Sequence, residues 1–131
     1  MSTIMGLEYL YLTTAETDSS GNITYTMDIN PVAIKNALGL ECTQIPADPS
    51  NSNDTTYPYK YLIHSADDNQ NGVVLRMNSA RASMDIKGYN NGVIDYSRSY
   101  YSAIGNSNNS QAVMYYKREE DYVIFGISQT G

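Results

Sequence analysis

The chain has 131 residues, 41% of them apolar, and a formal net charge of −6 with an isoelectric point near 4.5. This length predicts a single domain over residues 1–131 that is large enough to bury a hydrophobic core. The acidic balance argues against nucleic acid and against an anionic membrane as partners, because the eight Lys and Arg residues are dispersed and only Lys117 and Arg118 are adjacent.

The single cysteine and the first residues indicate where the chain is made. Cys42 has no second cysteine to pair with, and we expect it to be a small buried hydrophobic residue rather than a reactive thiol. The segment from Met1 to Leu12 contains Glu8 and no basic residue, and no apolar run approaches the length of a membrane span. The sequence therefore predicts synthesis in the cytoplasm without a secretion signal.

Alternation of apolar and polar residues with period two dominates the chain, and it predicts half-buried antiparallel strands. The first predicted strand covers Leu7–Thr14. The segment Asp18–Asn22 contains Ser, Gly and Asn, and it predicts a hairpin connection to a second strand over Ile23–Ile29.

A short helix and a long loop are predicted next. Asn30 is a favourable N-cap, Pro31 suits the first helical position, and Gly39 favours the end of a helix of about two turns. Residues Gln44 to Thr56 contain two prolines and many Asn, Asp and Ser residues, which predicts a loop. A connection of this length in a compact domain is usually functional, and we expect it to be an interaction arm.

The middle of the chain predicts further strands and two tight turns. Tyr57–His64 alternates tyrosines with polar residues, and Pro58 places it at a sheet edge or at the first residues of a strand. Asn71-Gly72 and Asn91-Gly92 are the strongest signals for two-residue turns. Ile94–Tyr100 alternates again and predicts a strand after the second turn.

The C-terminal residues predict a last hairpin. The charged segment Glu119–Asp121 separates strands predicted over Ala112–Tyr116 and Tyr122–Ser128. Val123–Phe125 is apolar on both faces, which predicts a central strand. The predicted fold is mostly β, an antiparallel β-sandwich or barrel of about eight or nine short strands with one short helix.

Few residues suggest chemistry. Asp67–Gly72 matches the first half of a calcium loop, but Asn78 stands where the bidentate Glu would be and the flanks predict strands, so an Asx-rich turn is the preferred interpretation. His64 is the only histidine, and a lone histidine at a strand end is more often structural. We expect no enzyme activity, no cofactor and no metal site.

The tyrosines are the strongest functional signal, since the chain has 13 Tyr, one Phe and no Trp. Tyrosine is enriched at protein interfaces because it gives contact area at a low entropy cost. We expect about half of the tyrosines in the core and about half at edges or interfaces. The predicted interface residues are Tyr57, Tyr59, Tyr61, Tyr96, Arg98 and Tyr100.

Two functions fit these expectations. The first is a structural or assembly protein that acts through protein–protein contacts, as a homo-oligomer or with capsid or tail proteins. Small, acidic β domains rich in Asn, Ser, Thr and Tyr are typical of bacteriophage virion components such as capsid decoration (cement) proteins and tail or baseplate subunits. The alternative is a carbohydrate- or receptor-binding β-sandwich, in which tyrosines would stack on sugar rings.

Overall fold

The computed structural model describes the backbone of residues 3–4, 6–105 and 111–130, and the side chains of residues 6–97 and 111–129. Within these residues the chain forms eleven strands and two helices, and the strands pair in antiparallel fashion. The strands are β1 (Thr3–Ile4), β2 (Leu7–Tyr11), β3 (Thr13–Thr17), β4 (Ile23–Met27), β5 (Glu41–Ile45), β6 (Tyr59–Ser65), β7 (Asp68–Met77), β8 (Ser83–Asn90), β9 (Val93–Gly105), β10 (Gln111–Arg118) and β11 (Val123–Thr130). The helices are α1 (Pro31–Leu38) and α2 (Ser52–Thr56). The predicted class, mostly antiparallel β, is confirmed and is consistent with a β-sandwich.

The chain divides into two compact units. The terminal unit comprises residues 1–39 and 106–131, and the central unit comprises residues 40–105. The terminal unit holds a four-stranded sheet in the order β1-β2-β10-β11 and the hairpin β3-β4, and the central unit holds a five-stranded sheet in the order β5-β6-β7-β8-β9. The single domain over residues 1–131, which the chain length predicts, stays a prediction.

A break at Leu12 accounts for one strand more than the sequence predicted. The predicted strand Leu7–Thr14 divides at this residue into β2 and β3, which belong to different sheets. The Leu12 N–H donates to the Ala112 carbonyl at 2.8 Å, and the Leu12 carbonyl accepts from the Asp28 N–H at 2.7 Å. Its side chain is fully buried, so the chain crosses from one sheet to the next through the core of the terminal unit.

Helix α1 forms where the sequence predicted it. The Asn30 side chain accepts hydrogen bonds from the backbone N–H groups of Val32 and Ala33, Pro31 opens the first turn, and Gly39 ends the helix in the left-handed region at φ +71°. The buried residues Ile34, Ala37 and Leu38 lie on one face of the helix. Local capping signals were sufficient to place this element.

Of the two Asn-Gly pairs, only the second forms a turn. Asn91 and Gly92 join β8 to β9 with φ values of +53° and +80°. Asn71 and Gly72 lie inside β7, since the turn from β6 to β7 comes earlier, at residues 66–67. The prediction of a turn at Asn71-Gly72 is therefore wrong. Gly72 serves a different purpose, because a Cβ there would lie 2.1 Å from the Ile63 carbonyl oxygen.

The predicted loop over Gln44–Thr56 contains the second helix. Asn51 caps α2 by accepting a hydrogen bond from the Asn53 N–H at 2.9 Å. The helix carries Asp54, whose side chain is 2% exposed. This segment is anchored on its own unit through Asp54, and its role as an interaction arm stays a prediction.

Candidate functional site

The four-stranded sheet of the terminal unit has one buried face and one exposed face. Strand register places Leu10, Met114 and Ile127 in one row across β2, β10 and β11. Met114 and Ile127 are buried in the core. The neighbouring row consists of Tyr9, Tyr115 and Gly126, and alternation directs it to the opposite face.

The exposed face is mostly apolar and aromatic, with the exposed Lys117 opposite Ile124 as its charged member. We call it the tyrosine face and define it as Leu7, Tyr9, Tyr11, Tyr115 and Ile124. Tyr11 is 51% exposed and Ile124 is 56% exposed, while the other three are half-buried. The Tyr9 ring packs edge-on against Tyr11 with centroids 5.4 Å apart, and it contacts Tyr115 at 6.2 Å. Aromatic pairs of this geometry stabilise the mutual orientation of the rings.

A shallow groove of about 340 Å³ lies in the tyrosine face around Gly126. Tyr115 and Ile124 flank it, and Leu7 also lines it. A Cβ built on Gly126 would meet no atom within 4 Å. The groove therefore has room for an apolar side chain that the described residues of the unit do not provide.

Strand β11 borders this groove and ends the sheet. Among the described strands it pairs only with β10, through eight consecutive residue pairs without a register shift. It contains no charged residue and no proline between Val123 and Thr130. Natural edge strands usually carry charges, prolines or bulges that prevent pairing with another chain. The prediction that Val123–Phe125 is a central strand is wrong within this sheet, because β11 lies at the edge of the sheet. The segment is nevertheless apolar on both faces.

The interface residues predicted from the sequence fall in the central unit, and the structure brings only two of those with described side chains together. The Arg76 guanidinium lies 4.5 Å from the Tyr57 ring centroid and 5.5 Å from the Tyr96 ring centroid. Tyr59 instead contacts Arg81 at 5.0 Å. Tyr61 is buried at 7% exposure among the apolar residues of the opposite sheet face. The side chains of Arg98 and Tyr100 lie outside the described residues, on strand β9.

Charged side chains are buried on one face of the five-stranded sheet. Lys60, Arg76 and Asp85 occupy one row across β6, β7 and β8. Arg76 binds Asp85 through two hydrogen bonds, from Nε to Oδ1 at 2.9 Å and from the guanidinium to Oδ2 at 2.6 Å. Lys60 Nζ donates to Asp54 Oδ2 at 2.7 Å, so helix α2 is attached to the sheet through a buried ion pair.

The electrostatics of this cluster follow from burial and pairing. Burial raises the pKa of Asp54, but the hydrogen bond from Lys60, the Asp48 N–H and the nearby cations outweigh it, so the net pKa of Asp54 is lowered. Burial and then the Asp54 carboxylate raise the pKa of the Tyr96 hydroxyl. Every charge named here has a partner of opposite sign, which is the arrangement of a structural cluster.

The other residues that the sequence suggested for chemistry make ordinary structural contacts. Asp68 and Asn71 lie on β7, where Asp68 Oδ1 accepts from the Gln70 N–H at 3.0 Å and Asn71 Oδ1 accepts from the Asn91 N–H at 3.1 Å. Within the described part of the chain, no group of three or more His, Cys, Asp or Glu residues is arranged to hold a metal ion. His64 Nδ1 lies 2.7 Å from the Ser65 carbonyl oxygen. Burial raises the pKa of the Cys42 thiol to about 11, which fits the predicted buried hydrophobic residue.

Sequence reasoning did not single out the tyrosine face. The signal was present in the stretch Leu7-Glu-Tyr-Leu-Tyr11, where apolar or aromatic residues occur at both parities of the strand. Leu10 fills the core side, so Leu7, Tyr9 and Tyr11 remain for the other side. When both the odd and the even positions of a strand are apolar, both faces of the strand need to be covered by other residues, either of its own chain or of another chain.

Among the described residues, no helix is long and apolar enough to cross a membrane. Comparisons of the chain with protein-family models, curated proteins and solved structures gave no match.

Proposed function

We propose that this protein is a non-enzymatic structural subunit that acts through protein–protein contacts in an oligomeric assembly. The observation that carries the proposal is the tyrosine face, which presents apolar and aromatic side chains next to an uncharged edge strand. Exposed apolar patches of this kind mark interaction sites, because leaving them in water costs about 25 cal/mol for each Å². Tyrosine suits such a site, since its ring supplies contact area and its hydroxyl tolerates water.

The proposed assembly is a bacteriophage virion, in which the protein would be a capsid decoration protein or a tail or baseplate subunit. The support for this placement is compositional: a small acidic β chain that is rich in Asn, Ser, Thr and Tyr. A subunit made in the host cytoplasm and built into a particle can leave an apolar face open until neighbouring subunits cover it. Mass spectrometry of phage particles, purified from a lysed host that carries the gene, tests this placement by detecting the protein or failing to detect it.

Light scattering at two protein concentrations, with and without EDTA, tests the assembly itself. We expect a mass above that of the 14.5 kDa monomer that EDTA does not change. Tyr11→Glu should weaken association at least tenfold, because it places a charge on the tyrosine face. Ile23→Glu is the matched control, since Ile23 is also a strand residue that is 51% exposed but lies outside this face. A monomer at both concentrations that is also missing from purified particles would overturn the proposal.

Carbohydrate binding is a second candidate, and one observation favours it. Tyr11 is half exposed beside Tyr9, so its ring is accessible to a sugar. A glycan array separates the two candidates, because a sugar ligand that Tyr11→Ser abolishes would favour the binding module. Association that persists without any array signal would favour the assembly subunit.

A further inference from the structure

The open edge of β11 offers a defined set of backbone groups. The Glu119 N–H donates to the Tyr122 carbonyl at 2.9 Å, which makes residues 119 and 122 a hydrogen-bonded pair of the β10-β11 hairpin. Hydrogen-bonded and non-hydrogen-bonded pairs alternate along an antiparallel ladder. Even-numbered residues from Ile124 to Thr130 therefore bond to β10, and the odd-numbered residues Val123, Phe125 and Ile127 direct their N–H and C=O groups away from β10, on the side where no other described strand pairs with β11.

We propose that this edge binds β11 of a second copy of the chain, antiparallel, with Phe125 on the two-fold axis. The inference rests on the proposed assembly function and adds an edge contact beside the tyrosine face. In this register Phe125 of one copy forms a hydrogen-bonded pair with Phe125 of the other. Val123 likewise pairs with Ile127 of the second copy, so all of these partners are outward-facing residues. The two four-stranded sheets would become one continuous sheet, as in other cases of strand addition.

Shape complementarity selects this register. With the axis at Phe125, the exposed Ile124 lies directly opposite Gly126 of the second copy, in a non-hydrogen-bonded pair where side chains approach most closely. Ile124 then enters the groove around Gly126, and the exchange occurs twice by symmetry. Shifting the axis to Gly126 or Ile127 places Ile124 opposite Ser128 or Thr130, and the groove stays empty.

The distribution of charge favours the antiparallel over the parallel orientation of the two copies. Each hairpin tip carries Glu119, Glu120 and Asp121 beside β11, and Lys117 and Arg118 precede them, so the net charge at the tip is −1, whereas β11 is uncharged. A parallel pair would bring two acidic tips together across one strand spacing of about 4.8 Å. The antiparallel pair places Asp121 opposite Gln129 and separates the two tips by about 30 Å at roughly 3.4 Å per residue. That distance exceeds the screening length of about 8 Å at physiological salt.

Disulfide cross-linking identifies the register between the two β11 strands directly. In a Cys42→Ala background, Phe125→Cys should cross-link to itself on mild oxidation, since hydrogen-bonded antiparallel pairs have a Cα separation of about 5.5 Å that a disulfide can span. Ile127→Cys should not cross-link to itself, but an equal mixture of Val123→Cys and Ile127→Cys should give a mixed dimer. Self-cross-linking at position 127 instead of 125 would overturn the register.

Filling the groove provides a second test that does not depend on cysteine chemistry. Gly126→Val adds a side chain where the unit itself is open, so the variant should fold and should lose at least tenfold in dimer affinity by light scattering. Thr14→Val is the control, because it places a valine at an exposed strand position of the terminal unit that does not line the groove. An oligomer that forms without cross-links at 125 and is indifferent to Gly126→Val would overturn this inference and leave the assembly function standing. A wild-type monomer at every concentration would overturn this inference, and the assembly function would then rest on detection in particles.

Discussion

The two sheets of this protein distribute charge and apolar surface in opposite ways. The five-stranded sheet buries Lys60, Arg76 and Asp85 on one face, where helix α2 of the same unit contributes Asp54. The four-stranded sheet leaves Tyr11 and Ile124 exposed on its outer face. One sheet thus satisfies its charges within its own unit, and the other leaves apolar side chains exposed to water.

The contrast indicates which surface is available for function. Tyr57 and Tyr96 were predicted at an interface, but their rings lie over the Arg76 guanidinium and contribute to a paired cluster. Tyr9 and Tyr115 were not singled out, and they form the rigid part of the tyrosine face. All four rings are half-buried, so the two pairs differ in what they contact: a paired guanidinium in one, and another tyrosine in the other.

Removing one partner of the buried Arg76–Asp85 pair should have the largest effect on stability. Asp85→Ala leaves a guanidinium buried and unpaired, and we expect it to lower the free energy of unfolding by about 3–5 kcal/mol. Urea denaturation at pH 7 measures the difference. Asp85→Asn, which keeps the volume and one acceptor, provides a milder variant if the alanine variant does not fold.

The exposed Lys117–Glu119 pair is the control for this experiment. Its atoms are 3.1 Å apart, and its side chains are 53% and 35% exposed. Glu119→Ala should change the free energy of unfolding by less than about 1 kcal/mol, because exposed ion pairs contribute little. Equal effects of Asp85→Ala and Glu119→Ala would contradict the description of the five-stranded sheet as a buried charged layer.

Substitutions of two glycines in strands extend the comparison between the two sheets. Gly72→Ala places a Cβ against the Ile63 carbonyl, so the backbone must shift, and we expect a loss of about 1–3 kcal/mol. Gly126→Ala meets no neighbouring atom, and it should change the stability of the monomer by less than about 1 kcal/mol. Thermal unfolding of both variants at low protein concentration measures the difference. A smaller loss for Gly72→Ala than for Gly126→Ala would contradict the two backbone environments.

Local signals predicted local structure correctly. Asn30, Pro31 and Gly39 predicted α1 because a cap, a first-turn proline and a left-handed glycine act through their immediate neighbours. Asn91-Gly92 predicted a turn for the same reason. Asn71-Gly72 carries an identical signal but lies inside a strand, where Gly72 is needed because another backbone approaches closely. The sequence alone cannot distinguish a glycine that a turn requires from a glycine that close packing requires.

Properties set by distant residues were not predicted. Val123–Phe125 is apolar on both faces, which fits a central strand as well as an edge strand that a second chain covers. The partners of Lys60 and Arg76 come from α2 and β8, and only the strand register brings them together. The candidate interface residues, which were chosen by residue type, lie in the central unit, and their role at an interface stays a prediction.

Acid should weaken the buried cluster by a smaller amount than deletion of a partner. The pKa of Asp54 is lowered from its ordinary value of 3.8, so the folded protein binds this proton less tightly than the unfolded chain does. Its stabilising contribution is complete above pH 3.8 and is lost as the pH falls from there toward the folded pKa. The urea midpoint of the wild type should change little through Asp54 between pH 6 and 4.5 and should fall between pH 4.5 and 3, and it should fall less steeply for Asp54→Asn, which cannot titrate. If that variant is too unstable to measure, a carbon-13 NMR titration of the Asp54 carboxyl in the wild type gives the pKa directly. A value above 3.8 would mean that burial outweighs the Lys60 hydrogen bond, and that helix α2 is not held to the sheet by charge.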